Sequence, residues 1–150
     1  MFRGTHRHSL DSKGRLSVPA RFRDRLQALA DGQLIVTINP TSTDSERCLW
    51  AYPLNEWEAV ERKVAALPST QPSIRRFQRL FIGHSEELRL DNQSRVLLSS
   101  SLRQYARIER DVVLVGQISK FEIWDAALWD RQEELMDDED VLAAIGDLQL

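Results

Sequence analysis

Apolar residues follow one order of spacings along the chain, and that order occurs twice. Up to residue 67 the spacings predict a strand, a polar loop, a strand, a helix, two strands and a second helix, near 7–10, 11–15, 16–18, 19–29, 34–38, 48–52 and 53–67. In the first helix Phe22, Leu26 and Leu29 recur at spacings of four and three, so we expect them to form its buried face. Gly32 is expected to end this helix.

The second half of the chain contains the same order again. Residues 90–106, LDNQSRVLLSSSLRQYA, align with residues 10–26, LDSKGRLSVPARFRDRL, and both stretches contain Asp-x-x-x-Arg before an alternating apolar pair. Residues 112–115 and 121–124 then match the two later strands of the first repeat. Agreement over this length indicates one structural unit that has been duplicated.

A linker and a helix are predicted between the two repeats, and a further helix and a tail are predicted after the second. Residues 68–72 predict a linker, Ser73 the N-cap of a short amphipathic helix, and Gly83 the end of that helix. Asp125 is expected to cap the helix that contains Trp129, which aligns with Trp57 of the first repeat. The remaining tail is acidic and then apolar, and it either docks on a neighbour or stays loose.

Neither repeat is large enough to bury a core alone, because about four short strands and one helix cover too little apolar surface. Tandem units of this kind normally pair about a pseudo-two-fold axis and interleave their strands. We therefore expect a single α+β body at roughly 5–130, in which both repeats contribute strands to one small barrel.

Composition narrows the class of protein. With 42% hydrophobic residues among 150, the chain can bury a substantial core. Its N-terminus lacks the apolar run of a signal peptide, and no stretch approaches the roughly 20 apolar residues of a membrane helix. Cys48 is the single cysteine, which excludes an internal disulfide. These features predict a cytoplasmic protein without a membrane partner.

Charge is segregated along the chain. Residues 1–25 contain seven Lys/Arg against two Asp, whereas residues 125–150 contain nine Asp/Glu against one Arg. Such segregation indicates a basic surface for a polyanion and an acidic tail with a separate role. Two solvated faces of opposite sign are the simpler alternative.

The sequence contains no recognisable catalytic set. It has no phosphate-binding glycine loop, nucleophile elbow or zinc-protease signature. His6 and His8 would share one face of a strand and could bind a metal, but His84 is distant and no other residue has ligand spacing. We expect Cys48 and the four tryptophans to be core or interface residues. The predictions are therefore no enzyme, no metal, no cofactor and no small-molecule substrate.

The polar loop of the first repeat is the candidate binding site. Asp11 can accept backbone hydrogen bonds within the loop and pair with Arg15, while Gly14 can adopt positive φ. Lys13 and Arg15 would stand at the tip of a hairpin, where such side chains can bond guanine O6 and N7. The candidate DNA-binding residues are Arg3, Arg7, Asp11, Lys13, Gly14 and Arg15.

The corresponding loop of the second repeat has lost its positive charge. Asn92-Gln93-Ser94 replaces Ser12-Lys13-Gly14, and two glutamates flank it. We expect Asp91 and Arg95 to be structural residues of this loop. Internal bracing alone would explain the Asp and Arg of both loops, but it would not explain Lys13 or its basic surroundings.

Several motifs together resemble the MraZ family of bacterial transcriptional regulators. They are MFRG at the start, DSKGRLSVPARFR, RRFQRLFIGH, the second Asp-x-x-x-Arg and VGQISKFEIWD. The resemblance covers residues 1 to about 130 and implies a tandem duplicated AbrB-like swapped-hairpin barrel of the double-split β-α-β type, with pseudo-two-fold symmetry and flanking helices. The implied segments are AbrB-like repeats at 5–51 and 80–123, connecting helices at 52–79, and a C-terminal helix with acidic tail at 124–150.

The same resemblance implies a function. The DNA-contacting loop of the MraZ family corresponds to Asp11, Lys13, Gly14 and Arg15 of this sequence. Family membership implies ring-shaped homo-oligomers in the nucleoid that bind short direct repeats in double-stranded DNA, upstream of a division and cell-wall gene cluster and of their own gene, usually as repressors. The alternative is an antitoxin-like protein-interaction module that acts through the acidic tail.

Overall fold

A computed structural model of the chain describes residues 1–41, 43–135 and 139–149. The strands in this part of the chain are β1 (Thr5–Ser9), β2 (Arg15–Ser17), β3 (Gln33–Ile38), β4 (Leu49–Pro53), β5 (Glu86–Arg89), β6 (Arg95–Leu97), β7 (Asp111–Gln117) and β8 (Lys120–Asp125). The helices are α1 (Ala20–Ala30), α2 (Leu54–Ala65), α3 (Pro72–Gly83), α4 (Ser100–Tyr105), α5 (Ala126–Glu134) and α6 (Glu139–Ile145). A short 3-10 turn at Asp44–Glu46 lies in the polar segment between β3 and β4.

The two repeats exchange their first strands. Six strands form one antiparallel sheet in the order β1-β7-β8-β4-β3-β5. Strand β1 of the first repeat thus pairs with β7 of the second, from Thr5–Val115 to Ser9–Asp111, and β5 of the second repeat pairs with β3 of the first. The remaining strands β2 and β6 pair with each other as a separate antiparallel ribbon. Each repeat therefore completes the sheet of the other, as the interleaving prediction required.

The described strands do not form a closed barrel, and the swapped-hairpin barrel stays a prediction. Strands β1 and β5 are the two edges of the six-stranded sheet. The ribbon strands have three residues each, and β2 joins the first strand segment only through an isolated bridge between Leu10 and Leu16. Such short strands cannot extend a continuous hydrogen-bonded ladder around the core. The α+β class is confirmed.

One apolar core lies between the sheet and the ribbon. The ribbon contributes Leu16 and Val96, and both are almost completely buried. Phe22 of α1 packs against Phe2 with ring centroids 5.3 Å apart and against Phe121 at 5.0 Å. The core therefore contains residues of both repeats. Its fully buried members include Leu16, Phe22, Leu26, Leu34, Leu49, Leu98, Leu102, Leu114 and Ile123.

The predicted apolar face of α1 extends beyond the core. Phe22 and Leu26 are buried, but Leu29 is 40% exposed. The helix ends at Ala30, where Asp31 adopts φ 53° and Gly32 φ 75°. The spacing predicted the buried face of α1 correctly at Phe22 and Leu26, but the last turn of that face is not covered by the core.

Two further apolar clusters cover the opposite side of the sheet. Helices α2 and α3 pack on β3 and β4 through Trp57 and Phe81, and α5 packs on β7 and β8 through Leu128 and Trp124. Cys48 is buried beneath α5, and burial raises the pKa of its thiol. The tryptophans thus occupy packed positions, as predicted.

Several helix ends differ from their predictions. Helix α3 begins at Pro72 with Gln71 as N-cap, not Ser73, because the fixed φ and missing N–H of proline suit the first helical position. Asp125 occupies the N-cap position of α5 but makes no side-chain capping bond; its Oδ1 accepts a hydrogen bond from the Glu109 N–H at 3.5 Å. Helix α6 buries none of its residues. No helix in the described ranges is long and apolar enough to cross a membrane.

Candidate nucleic-acid interface

The first Asp-x-x-x-Arg loop is held by its own aspartate. Asp11 Oδ1 accepts hydrogen bonds from the backbone N–H groups of Lys13 and Arg15, both at 2.9 Å. Its Oδ2 accepts from Arg15 Nε at 2.7 Å. The backbone N–H of Gly14 closes the turn onto the Asp11 carbonyl at 3.0 Å, with Gly14 at φ 83°. The predicted Asx-type turn and the Asp–Arg brace are both confirmed.

These bonds stabilise the ionised form of Asp11. The backbone N–H of Arg15, followed by its guanidinium and the Lys13 N–H, lowers the pKa of Asp11 from 3.8 to about 2. The Asp11 carboxylate is therefore ionised at neutral pH in the observed loop. A braced loop presents the neighbouring cations in one fixed arrangement.

This low pKa predicts a specific loss of stability in acid. The pKa is lower in the folded chain, so the contribution of Asp11 is complete above pH 3.8 and is lost as the pH falls towards about 2. We expect Asp11→Asn to be less stable than the parent at pH 7, and we expect this difference to shrink across that window. Urea unfolding at a series of pH values measures it. A difference that is equally large at pH 7 and below pH 2 would contradict the assignment.

The second loop has the same brace. Asp91 Oδ1 accepts from the backbone N–H groups of Gln93 and Arg95 at 2.8 and 2.9 Å, and Oδ2 accepts from Arg95 Nε at 3.1 Å. These bonds likewise lower the pKa of Asp91, the Arg95 backbone N–H most of all. Ser94 adopts φ 60° where the first loop has glycine. The backbone conformation is thus retained although a side chain there costs roughly 1–2 kcal/mol.

The two loops lie side by side. Arg95 Nη1 is 3.7 Å from Asp11 Oδ2, so the arginine of the second repeat also neutralises the aspartate of the first. Backbone bonds join the loops directly, from the Leu98 N–H to the Gly14 carbonyl and from the Val18 N–H to the Ser94 carbonyl, both at 3.0 Å. The second loop therefore supports the first loop mechanically and electrostatically.

The first loop also has basic neighbours that sequence reasoning missed. A cavity of about 450 Å³ beside it is lined by Leu10, Asp11, Ser12, Arg103, Glu109 and Arg110. Arg103 donates from Nε to the Leu98 carbonyl at 3.1 Å, and the Arg110 carbonyl accepts from the Leu10 N–H at 2.8 Å. Both arginines belong to the second repeat. The pairing of β2 with β6 brings Arg103 to this loop and the pairing of β1 with β7 brings Arg110, and no local spacing signals either.

Two predicted site residues lie apart from the loop. Arg7 forms ion pairs with Asp130 and Glu133 of α5, and the bond to Asp130 raises the pKa of the guanidinium. Arg3 lies beyond the opposite end of β1 from Asp11, and the five residues of that strand alone span roughly 16 Å at the ordinary rise. It lines a second cavity with Arg21 and Arg25. The structure therefore groups Asp11, Lys13, Gly14 and Arg15 without Arg3 or Arg7.

The structure places His6 beside an aromatic ring. The ring of His6 packs edge-on against Phe22 with centroids 5.0 Å apart. Within the described ranges no three His, Cys, Asp or Glu side chains cluster closely enough to hold a metal ion.

Fold and site together define a duplicated α+β protein whose distinguishing surface is a charged, braced loop. The family model described as "MraZ protein, putative antitoxin-like" matches residues 1–80 and again residues 81–145. The chain belongs to the MraZ family, and the resemblance seen in its motifs is confirmed.

Curated relatives extend this comparison over the whole chain. The transcriptional regulator MraZ of Acidithiobacillus ferrooxidans (strain ATCC 53993) is 64% identical over 151 aligned positions and covers all of both chains. The protein of the same name from Alkalilimnicola ehrlichii is 49% identical over 131 positions, 87% of this chain and 85% of that one. The one from Methylococcus capsulatus is 44% identical over 148 positions, 99% and 94% of the two chains. The family is thus one of transcriptional regulators, not of enzymes.

Proposed function

We propose that this protein is a transcriptional regulator that binds double-stranded DNA sequence-specifically through the loop Asp11–Arg15. The observation that supports this most directly is the difference between two loops with the same backbone. Each has the Asp–Arg brace, but only the first presents an exposed lysine, Lys13, where the second has Gln93. Bracing alone requires neither this lysine nor the arginines around it.

The chemistry of the loop suits a major groove. Lys13 is exposed and Arg15 is about one-third exposed, and both carry N–H donors that can bond the O6 and N7 acceptors of guanine. Arg103 and Arg110 flank the loop at positions suited to phosphates, which fix the register of a protein on DNA without reading its sequence. In this proposal Asp11 is part of the DNA-binding loop and orients Arg15 within it.

The proposal includes an assembly, because one small loop supplies few contacts. Several identical loops in a ring-shaped homo-oligomer would bind direct repeats with an affinity raised by effective concentration. The DNA targets that we propose are direct repeats upstream of the protein's own gene and of an adjacent division and cell-wall gene cluster. We propose that the protein represses these genes and acts at the nucleoid in the cytoplasm.

We further propose that the protein repeats at 5–51 and 80–123 are variants of the AbrB-like swapped hairpin. Connecting helices at 52–79 and a C-terminal segment at 124–150 flank them. The exchange of β1 and β5 supports this organisation.

Fluorescence anisotropy with DNA from immediately upstream of the gene tests this function. A scrambled duplex of equal length serves as control, and both are titrated at two salt concentrations. We expect tighter binding to the upstream DNA, weakened by salt because the protein releases counterions from phosphates. Weak binding that is equal for both duplexes would contradict sequence-specific recognition.

A second candidate function is protein interaction through the acidic tail. It is favoured by the exposed apolar residues of that tail and by the antitoxin-like description of the family model. A pull-down that compares the full chain with one truncated after Asp130 tests it. The same bound partner with and without the tail would contradict this candidate.

A further inference from the structure

A groove lies between α2 and α3 and has apolar residues on its floor. Its volume is about 530 Å³, and its lining residues are Glu61, Val64, Ala65, Gln78, Arg79, Ile82 and Gly83. Gln78 Nε2 donates to the Val64 carbonyl at 3.1 Å and ties the two helices together at one end. Glu61, the acidic lining residue, accepts a hydrogen bond from the Trp57 indole at 2.7 Å. The groove is therefore a pre-formed apolar surface.

The helix beside this groove is uniformly basic. Helix α3 contains three arginines and no acidic residue in its twelve positions. Arg75 donates to the carbonyls of Ser69 and Thr70. Arg76 and Arg79 form no ion pair with the residues that the structure describes. The groove thus has an apolar floor and a cationic edge.

The C-terminal segment has the complementary composition. After Arg131 the sequence contains no further lysine or arginine, and α6 begins with two acidic residues. Val141 (41% exposed) and Ile145 (42%) lie one helical turn apart on one side of α6, as in helices that bind grooves, and Leu148 (62%) follows the helix. Leu142 beside them is 63% exposed.

We propose that the α2–α3 groove of one copy binds the segment 139–149 of a second copy of this chain. This inference rests on the homo-oligomer of the proposed function and names the surfaces that would form it. The apolar side of α6 would lie on Val64 and Ile82, with the carboxylate of Glu139 towards Arg76 and Arg79. Within one chain α6 buries none of its residues, so its apolar side is exposed.

Such a contact has consequences for the assembly. The groove and the tail are different surfaces of one sequence, so each bound pair leaves one groove and one tail open to further copies. Repetition of a head-to-tail contact of this kind produces a ring when the rotation closes. A single short helix buries little area, and the closed ring gains its stability from simultaneous contacts.

Mass measurement by light scattering tests the proposal without DNA. We compare the full chain, a chain truncated after Leu135, and the charge reversal Arg76→Glu/Arg79→Glu; Arg21→Glu/Arg25→Glu on α1 is the matched control. We expect the truncated chain and the α3 variant to lose most of the mass of the full-length assembly, while the control keeps it. An unchanged mass for either of the first two, or equal loss in the control, would overturn the proposal. Circular dichroism of each variant verifies that it is folded.

Crosslinking between copies distinguishes this contact from docking within one chain. Arg79→Cys and Leu142→Cys are prepared as separate variants with different tags and then mixed under mild oxidation; the native Cys48 is buried. A disulfide between the two tagged chains is expected. No crosslink, or one that forms only when both cysteines are in the same chain, would overturn the proposal. A full-length protein that is monomeric would refute the oligomer together with this contact, whereas anisotropy judges DNA binding independently.

Discussion

Arg15→Ala should lower the affinity for upstream DNA by about 10- to 100-fold, which corresponds to roughly 1–3 kcal/mol for one bidentate base contact. The substitution removes the donor that we propose faces the DNA groove and also the 2.7 Å brace to Asp11. Fluorescence anisotropy against the wild-type titration measures the change. The fold should persist, because the brace is a partly exposed ion pair outside the apolar core.

Arg95→Ala is the matched control for this prediction. Arg95 occupies the equivalent position of the second loop and makes the equivalent bond to Asp91, together with an ion pair to Asp11. It should reduce stability about as much as Arg15→Ala while affecting DNA affinity much less. Wild-type affinity in Arg15→Ala would show that the site is wrong. Equal losses in both variants would assign both loops to the interface or would point to bracing as the common cause.

Gly116→Ala should destabilise the protein by about 3–5 kcal/mol, the usual cost of removing a buried phenylalanine from a core. A Cβ at this position would clash with the Arg3 nitrogen and would lie 2.5 Å from the Phe2 carbonyl carbon. These are backbone atoms, held by the bonds between Phe2 and Ile118 at 2.8 and 3.0 Å. Relief of the clash would therefore withdraw Phe2, which is 1% exposed, from its contact with Phe22. Denaturant unfolding measures the loss.

Gly83→Ala provides the comparison for the glycine substitution. An added Cβ at Gly83 meets nothing within 4 Å, and the residue is the last of α3. Alanine there should be neutral or slightly stabilising, because it favours the helix and restricts the unfolded chain. If Gly116→Ala unfolds at the same denaturant concentration as Gly83→Ala, the N-terminal segment is not seated against β7 as described.

Local features of the protein could be predicted from the sequence because their causes lie within a few residues. The Asx turn of Asp11 depends on N–H groups two and four positions away. The same turn forms at Asp91 because both loops have the Asp-x-x-x-Arg pattern. The order of strands and helices depended on apolar spacing in the same way. The family resemblance rested on contiguous motifs, and it was confirmed over the whole chain.

The composition of the candidate site was only partly predictable. Arg3 and Arg7 are near the loop in sequence, but an extended strand carries Arg3 away from it and Asp130 of α5 pairs with Arg7. Arg103 and Arg110 are about ninety residues from the loop and nevertheless line its cavity. Charge density along a sequence cannot distinguish these cases, since it contains no information about which strands become neighbours.

The sequence by itself determined that the chain is a duplicated α+β unit with one cationic and one neutral Asp-x-x-x-Arg loop. Only the tertiary structure decided that β1 pairs with β7 and β5 with β3, that the sheet stays open beside a short ribbon, and that the neutral loop supports the cationic one. The physical reason is the range of the interactions. Turns and helices are stabilised by bonds between near neighbours, whereas strand pairing and burial depend on contacts between distant residues, which compete with many alternatives of similar local pattern.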